Sequence, residues 1–294
     1  MKKILAAAVI VALSTSVAQA QRGRGSGGPS AASVDGVTLG GGAPQDNAAL
    51  QSKMRAAMRH VLATPAITNM TGYQLKLMAG YGGKRGDQSS FSKGPRQVEG
   101  VVGIARIGGA GDLPNIKIFF NSPHLLSSAN WAGEPDVYQV RPELFSANGI
   151  ARVPDGDSLK ILITKPDRPV ILPLTKAEAA TMELAGLRRT LAAKPGDAYT
   201  QSKVEAVEAA LASLSPAQKT QRACFGDLRN PAKRYDCPAK PTRVFAKLNP
   251  AYLAGAPKNA VRSMTVSLDY MSKMDVLSAA IRETDMRALQ ALLD

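Results

Sequence analysis

The chain has 294 residues, with 37 Lys and Arg against 23 Asp and Glu, and a formal net charge of +14 at pH 7. Its hydrophobic fraction of 45% and charged fraction of 20% exclude a wholly disordered or collagen-like chain. Two Cys and two His are too few for a zinc-finger array or a multi-histidine metal site. We predict no cofactor and no metal, and we find no motif that specifies a reaction.

Residues 1–20 are typical of a secretory signal peptide. Lys2 and Lys3 precede an unbroken apolar run over 4–13, and Ala18, Gln19 and Ala20 form a small-x-small cleavage pattern. The apolar run is shorter than the roughly 20 residues that a membrane-spanning helix requires. We therefore expect cleavage before Gln21 and a soluble protein, with no integral membrane segment, in the periplasm or outside the cell.

Residues 21–46 are rich in Gly, Ser, Ala and Pro and contain few large apolar side chains. This composition predicts a flexible, disordered leader that folding does not require. Residues 47–294 are then expected to form a single globular domain, because no other composition shift suggests a boundary.

A first helix is predicted over 47–63, where Leu50, Met54 and Val61 recur at helical spacing. Strands are predicted at 73–79, 98–107 and 115–121 from their β-branched and aromatic content. The polar, Gly-rich residues 80–93 are expected to form a loop between the first two strands.

His124 follows the third of these strands and is a weak candidate for a catalytic base. Ser122 and other polar side chains lie close to it in sequence, and a nucleophile needs such a base. No G-x-S-x-G nucleophile motif is present. A packing or capping role for His124 therefore remains the simpler interpretation.

Residues 158–164 and 170–174 are predicted to pair as a hairpin around the Pro-containing turn 165–169. Thr175 and Glu178 form a capping box that begins a helix, and apolar spacing resumes after the Pro-Gly at 195–196. We expect an antiparallel helical hairpin, followed by a short helix that Ser215, Pro216 and Gln218 begin.

Cys224 and Cys237 are the only two cysteines, and in an oxidising compartment we expect them to form a disulfide. Residues 219–247, called here the basic segment, carry eight basic and two acidic side chains, a net charge of +6. A local basic field favours encounters with anionic partners. The alternative is a solvated surface that only keeps the protein soluble. The predicted ligand-binding residues are Arg229, Lys233, Arg234, Lys240 and Arg243.

Further strands are predicted at 242–248 and 260–268, followed by one or two C-terminal helices. Strands and helices occur in runs without regular β-α-β alternation. The expected fold class is α+β. It has a mainly antiparallel β-sheet packed by a helical hairpin and C-terminal helices, with a disordered N-terminal leader.

Two functional hypotheses follow. The first is an exported, non-enzymatic protein that binds an anionic envelope component, polysaccharide or protein partner through the basic segment. Nucleic acid is a poor candidate, because only Phe225, Tyr235 and Phe245 accompany the basic residues. The alternative is a secreted or periplasmic hydrolase that uses the loop around His124.

Overall fold

The structure is a computed structural model that describes residues 34–40, 47–81, 94–106, 114–122, 136–155, 158–227, 230–268 and 275–294. The predicted signal peptide, His124 and Arg229 lie outside these ranges. Within the described ranges, no helix combines the length and the apolar character needed to cross a membrane.

The described strands are β1 (Leu39–Gly40), β2 (Tyr73–Tyr81), β3 (Val98–Arg106), β4 (Asn115–Phe120), β5 (Val137–Val140), β6 (Ile150–Asp155), β7 (Ser158–Thr164), β8 (Ile171–Pro173), β9 (Val244–Leu248) and β10 (Ser263–Leu268). The α-helices are α1 (Asn47–Leu62), α2 (Pro65–Thr68), α3 (Lys176–Ala193), α4 (Ala198–Ser213), α5 (Pro216–Lys219), α6 (Pro250–Leu253), α7 (Asp275–Glu283) and α8 (Met286–Ala291).

The strands form two sheets. The larger has the order β1-β2-β3-β4-β10-β7-β6, and all of its pairs are antiparallel except β1 with β2. The smaller has the order β5-β9-β8 and is antiparallel throughout. The predicted α+β class with a mainly antiparallel sheet is therefore confirmed.

Strand alternation places the main core on one face of the larger sheet. In β4, Ile116, Ile118 and Phe120 are fully buried, and they share this face with Met264 and Val266 of β10. Helices α1, α7 and α8 supply the opposing apolar side chains of the same core. Met54 and Met58 belong to it, and a Cβ atom at Gly100 in β3 would collide with both.

The smaller sheet covers part of the second face. Leu162 and Val153 of the larger sheet share a core with Val244 and Ala246 of the smaller one. On the other side of the smaller sheet, Phe245 packs with side chains of α3 and α4. The molecule is thus layered as helices, larger sheet, smaller sheet and helical hairpin, and the basic segment runs along the last boundary.

The predicted hairpin between 158–164 and 170–174 is wrong. The first stretch, β7, pairs with β6 and β10, whereas β8 leaves for the smaller sheet and pairs with β9. The turn at 165–169 closes only a local bridge between Lys165 and Arg168. A sequence pattern identifies a strand, but partners up to about a hundred residues away decide its pairing.

The predicted flexible leader also needs correction for residues 34–40, the part of it that the structure describes. Val34 is 0% exposed and Val37 is 5% exposed, and both belong to the main core. Arg55 Nε in α1 donates to the Val37 carbonyl at 2.8 Å, and Leu39 pairs with Ala79 of β2. The sequence does not predict this packing, because Val34 and Val37 lie among Gly, Ser, Ala and Pro residues and show no helical or strand periodicity.

We expect a chain that begins at residue 41 to be about 3 kcal/mol less stable than one that begins at residue 34. The longer form keeps Val34 and Val37, and burying one valine side chain contributes about 1.5–3 kcal/mol. Values derived from buried area are upper estimates, so we expect the lower end of this range for each valine. Chemical denaturation of the two chains, beside one that begins at Gln21, measures the difference. Equal stability of all three would contradict the packing role of residues 34–40.

Candidate anion-binding surface

A disulfide joins Cys224 to Cys237, as predicted, with their Cα atoms 4.8 Å apart. Cys224 is fully buried beneath the smaller sheet, whereas Cys237 lies at the surface. The bond therefore ties an exposed loop of the basic segment to a fixed point in the core.

Backbone hydrogen bonds join separate parts of the same segment to one another. The Cys224 N–H donates to the Tyr235 carbonyl at 3.1 Å, and Cys224 forms a bridge with Val244 at the start of β9. The Gly226 N–H donates to the Arg234 carbonyl at 3.1 Å. A Cβ at Gly226 would lie 2.2 Å from the Lys233 carbonyl oxygen, so only glycine permits this approach.

Arg234, one of the predicted ligand-binding residues, is buried rather than exposed. Its side chain is 9% exposed, and its guanidinium donates through two nitrogens to the carboxylate of Glu183 in α3. The Tyr235 hydroxyl donates to the same carboxylate at 2.7 Å. The three side chains thus form a buried polar cluster that anchors the basic segment on α3.

The pKa values of this cluster agree with a structural role. Burial, together with the negative charge of Glu183, raises the pKa of Tyr235 above its ordinary value. Burial acts to lower the pKa of Arg234, but the hydrogen bonds and charge of Glu183 outweigh it and raise that pKa. Tyr235 is therefore neutral and Arg234 charged over the whole physiological pH range.

Two more ion pairs join the basic segment to α3. Lys176 Nζ lies 2.5 Å from Asp236 Oδ1, and Lys247 Nζ lies 2.6 Å from Glu178 Oε1. Partial burial acts to raise the pKa of Glu178, but hydrogen bonds from Lys247 and Thr175 hold it below its ordinary value. The Lys247 side chain is therefore engaged in an ion pair with α3. Glu178 also completes the predicted capping box of that helix.

The remaining described cations of the segment are exposed. They are Lys219, Arg222, Lys233, Lys240 and Arg243. Within the described ranges, no ion pair joins any of them to an acidic side chain. Arg222 lies over the ring of Phe145, with its guanidinium carbon 4.9 Å from the ring centroid. Three of the five predicted ligand-binding residues, Lys233, Lys240 and Arg243, are therefore exposed.

The structure adds two exposed residues that the sequence analysis did not select. Phe225 is 43% exposed, and its N–H donates to the Arg243 carbonyl at 3.4 Å. Arg141 is exposed directly after β5, whose last residue, Val140, pairs with Val244 next to Arg243. Arg141 comes from a strand about a hundred residues earlier in the chain, so only the strand register connects it with the basic segment.

His124, the centre of the alternative site, lies outside the described residues, but Asn121, directly after β4, is described. Asn121 is 1% exposed and has the left-handed φ of 54°. Its amide donates to the carbonyls of Arg96 and Ala260, and its Oδ1 accepts from the Arg262 N–H. These bonds give Asn121 a structural task, which is to join β4 to the start of β10.

The described residues contain no group of three or more His, Cys, Asp or Glu that could hold a metal ion. Comparison with protein families, curated proteins and solved structures finds no match to this chain.

Proposed function

We propose that this protein binds an anionic surface or macromolecule through the basic segment. The observation that supports it most is a set of five exposed cations that form no ion pair with any described acidic side chain. A disulfide and a buried ion pair hold together the frame that carries them. Arg234 and Lys247 form ion pairs with α3 and so stabilise the frame, whereas the exposed cations form no such ion pair among the described residues. Stabilisation of the fold therefore explains the charges of Arg234 and Lys247 but not those of the exposed cations.

The magnitude of the effect is sufficient for reversible binding. A Lys or Arg close to an anionic surface contributes about 1 kcal/mol at physiological salt. Four or five such residues acting together give about 4–5 kcal/mol, which corresponds to a Kd of about 0.2–1 mM. Because the frame is held rigid, little side-chain and loop entropy is lost when the partner binds.

Replacing Lys233, Lys240 and Arg243 together by Glu should weaken binding to dextran sulfate, a soluble anionic polymer, by at least about 100-fold. Each reversal removes an attraction and adds a repulsion of similar size. The matched control replaces Lys76, Arg152 and Arg282 by Glu. These residues are also exposed, and the control changes the net charge by the same six units but lies outside the segment.

Binding isotherms at several salt concentrations measure the effect, because wild-type affinity must fall as salt screens the charges. Equal weakening by both triple variants would show that net charge alone drives binding and would refute the proposed surface. Melting temperatures confirm that both variants fold. The proposal assigns no chemistry to His124, so His124→Ala should bind as the wild type does.

We further propose that the protein works in the periplasm or outside the cell. The signal-like residues 1–20 support this location, and so does the disulfide, since such bonds persist in oxidising compartments. The expected mature chain begins at Gln21. Intact-mass measurement of the exported protein checks this, and a mass that retains residues 1–20 would contradict it.

A further inference from the structure

Phe225 is an apolar side chain where the basic surface is otherwise charged. Among the described residues, the exposed large hydrophobic side chains are Met78 at 58%, Tyr199 at 69% and Phe225 at 43%. Met78 lies on β2, and Tyr199 lies at the start of α4, where Lys203 Nζ sits 4.1 Å from its ring centroid. Phe225 alone of the three belongs to the basic segment.

The position of Phe225 is fixed. Its ring lies 6.2 Å from that of Phe245, which is 2% exposed and fills the core behind it. Its neighbour Cys224 is held by the disulfide and by the bridge to Val244. The exposed part of the ring therefore cannot turn inward, because the space behind it is occupied.

Backbone pairing places exposed cations next to Phe225 in the fold. The backbone bond between Phe225 and Arg243 places their chains side by side, and Arg141 follows at the adjoining end of β5. Lys233 ends a short 3-10 helix over Pro231–Lys233, and its carbonyl accepts a hydrogen bond from the Asp227 N–H at 3.2 Å. An apolar side chain is thus exposed beside exposed cations of the basic segment.

An exposed phenylalanine ring beside exposed cations favours some anionic partners over others. A single-stranded nucleic acid stacks successive bases on several aromatic side chains, and Tyr235 and Phe245 are buried at 3% and 2% exposure. A nucleic-acid duplex is bound through its phosphates and offers charge but no apolar phase. An anionic polysaccharide offers charge but no apolar phase. A bilayer with anionic headgroups offers both, with hydrocarbon lying directly beneath the charges.

We propose that the anionic partner is a lipid bilayer, and that Phe225 enters its interfacial region while Arg243, Lys233 and Arg141 contact the headgroups. This inference rests on the proposed function. The cations supply a long-range, salt-sensitive attraction, and the ring supplies a short-range contribution that salt does not screen. Neither contribution alone gives stable attachment, as is usual for peripheral proteins.

The test measures partition onto vesicles of phosphatidylcholine alone and of phosphatidylcholine mixed with phosphatidylglycerol, using the full mature chain. Wild type should bind only the mixed vesicles. Phe225→Ser should reduce the partition coefficient about fivefold, since about half of a phenylalanine side chain loses its apolar environment. Phe225→Trp should restore or increase binding, because Trp favours the interface. Tyr199→Ser is the matched control and should bind as the wild type does.

Binding to dextran sulfate separates this inference from the proposed function. Phe225→Ser should leave that affinity unchanged, because the polymer has no apolar phase. If Phe225→Ser and Tyr199→Ser partition equally onto mixed vesicles, or if Phe225→Ser weakens dextran sulfate binding as much as vesicle binding, the bilayer inference is wrong and the proposed function stands. If the triple reversal at Lys233, Lys240 and Arg243 changes neither assay, both fail.

Discussion

Replacing Arg234 by Met should lower the free energy of unfolding by about 3–5 kcal/mol, the usual cost of removing one partner of a buried ion pair. The side chains of Arg234 and Glu183 are only 9% and 11% exposed. Without the guanidinium, the carboxylate keeps a single hydrogen-bond donor, the hydroxyl of Tyr235, and stays buried. The folded state must then hold an uncompensated charge or bind a proton, and both cost free energy.

Urea denaturation measures this loss, and Lys240→Met is the matched control. Lys240 is an exposed cation of the same segment, so its replacement should change the stability by no more than about 0.5 kcal/mol. Adding Glu183→Gln to Arg234→Met should recover part of the loss, because the buried charge disappears. Equal stability of Arg234→Met and Lys240→Met would return Arg234 to the set of surface cations.

Removing the disulfide by Cys224→Ala with Cys237→Ala should lower the free energy of unfolding by about 3 kcal/mol. The bond closes a loop with a sequence separation of 13. In the chain-entropy model, its loss raises the conformational entropy of the unfolded chain and thereby stabilises the unfolded state by this amount. The exposed cations also lose part of their frame, so affinity for anionic partners should fall together with stability. Denaturation with and without a reductant measures the first effect.

The reductant provides its own control. Wild type in reductant should unfold at the same denaturant concentration as the double variant, and the double variant should not respond to reductant at all. A wild-type midpoint that reductant leaves unchanged would show that the bond does not contribute to stability. The basic segment would then depend on the Glu183 cluster, the two further ion pairs to α3 and its backbone hydrogen bonds.

Local patterns predicted the helices well. The capping boxes of α3 and α5 were recognisable because each joins residues only three apart, Thr175 with Glu178 and Ser215 with Gln218. The alternation in β4 was equally local, since one face of the strand is apolar. Such signals depend only on residues a few positions apart in the chain, so they can be recognised in the sequence without knowledge of the fold.

Pairing and burial were less predictable. The stretch 170–174 reads as a hairpin partner of β7, yet β8 joins β9 about 75 residues later. Residues 34–40 read as a flexible leader, yet Val34 is fully buried beside α1. In both cases the deciding contacts come from parts of the chain that no local window includes.

The sequence by itself determined the α+β class, the capped helices, the cysteine pair and the concentration of positive charge in residues 219–247, because each follows from composition or short spacing. Only the tertiary structure decided which of those charges are available. Arg234 and Lys240 are alike in a sequence pattern, but Glu183 on α3 buries the first and leaves the second exposed. Arg141 and Phe225 join the surface through strand register and hydrogen bonding, which depend on long-range packing.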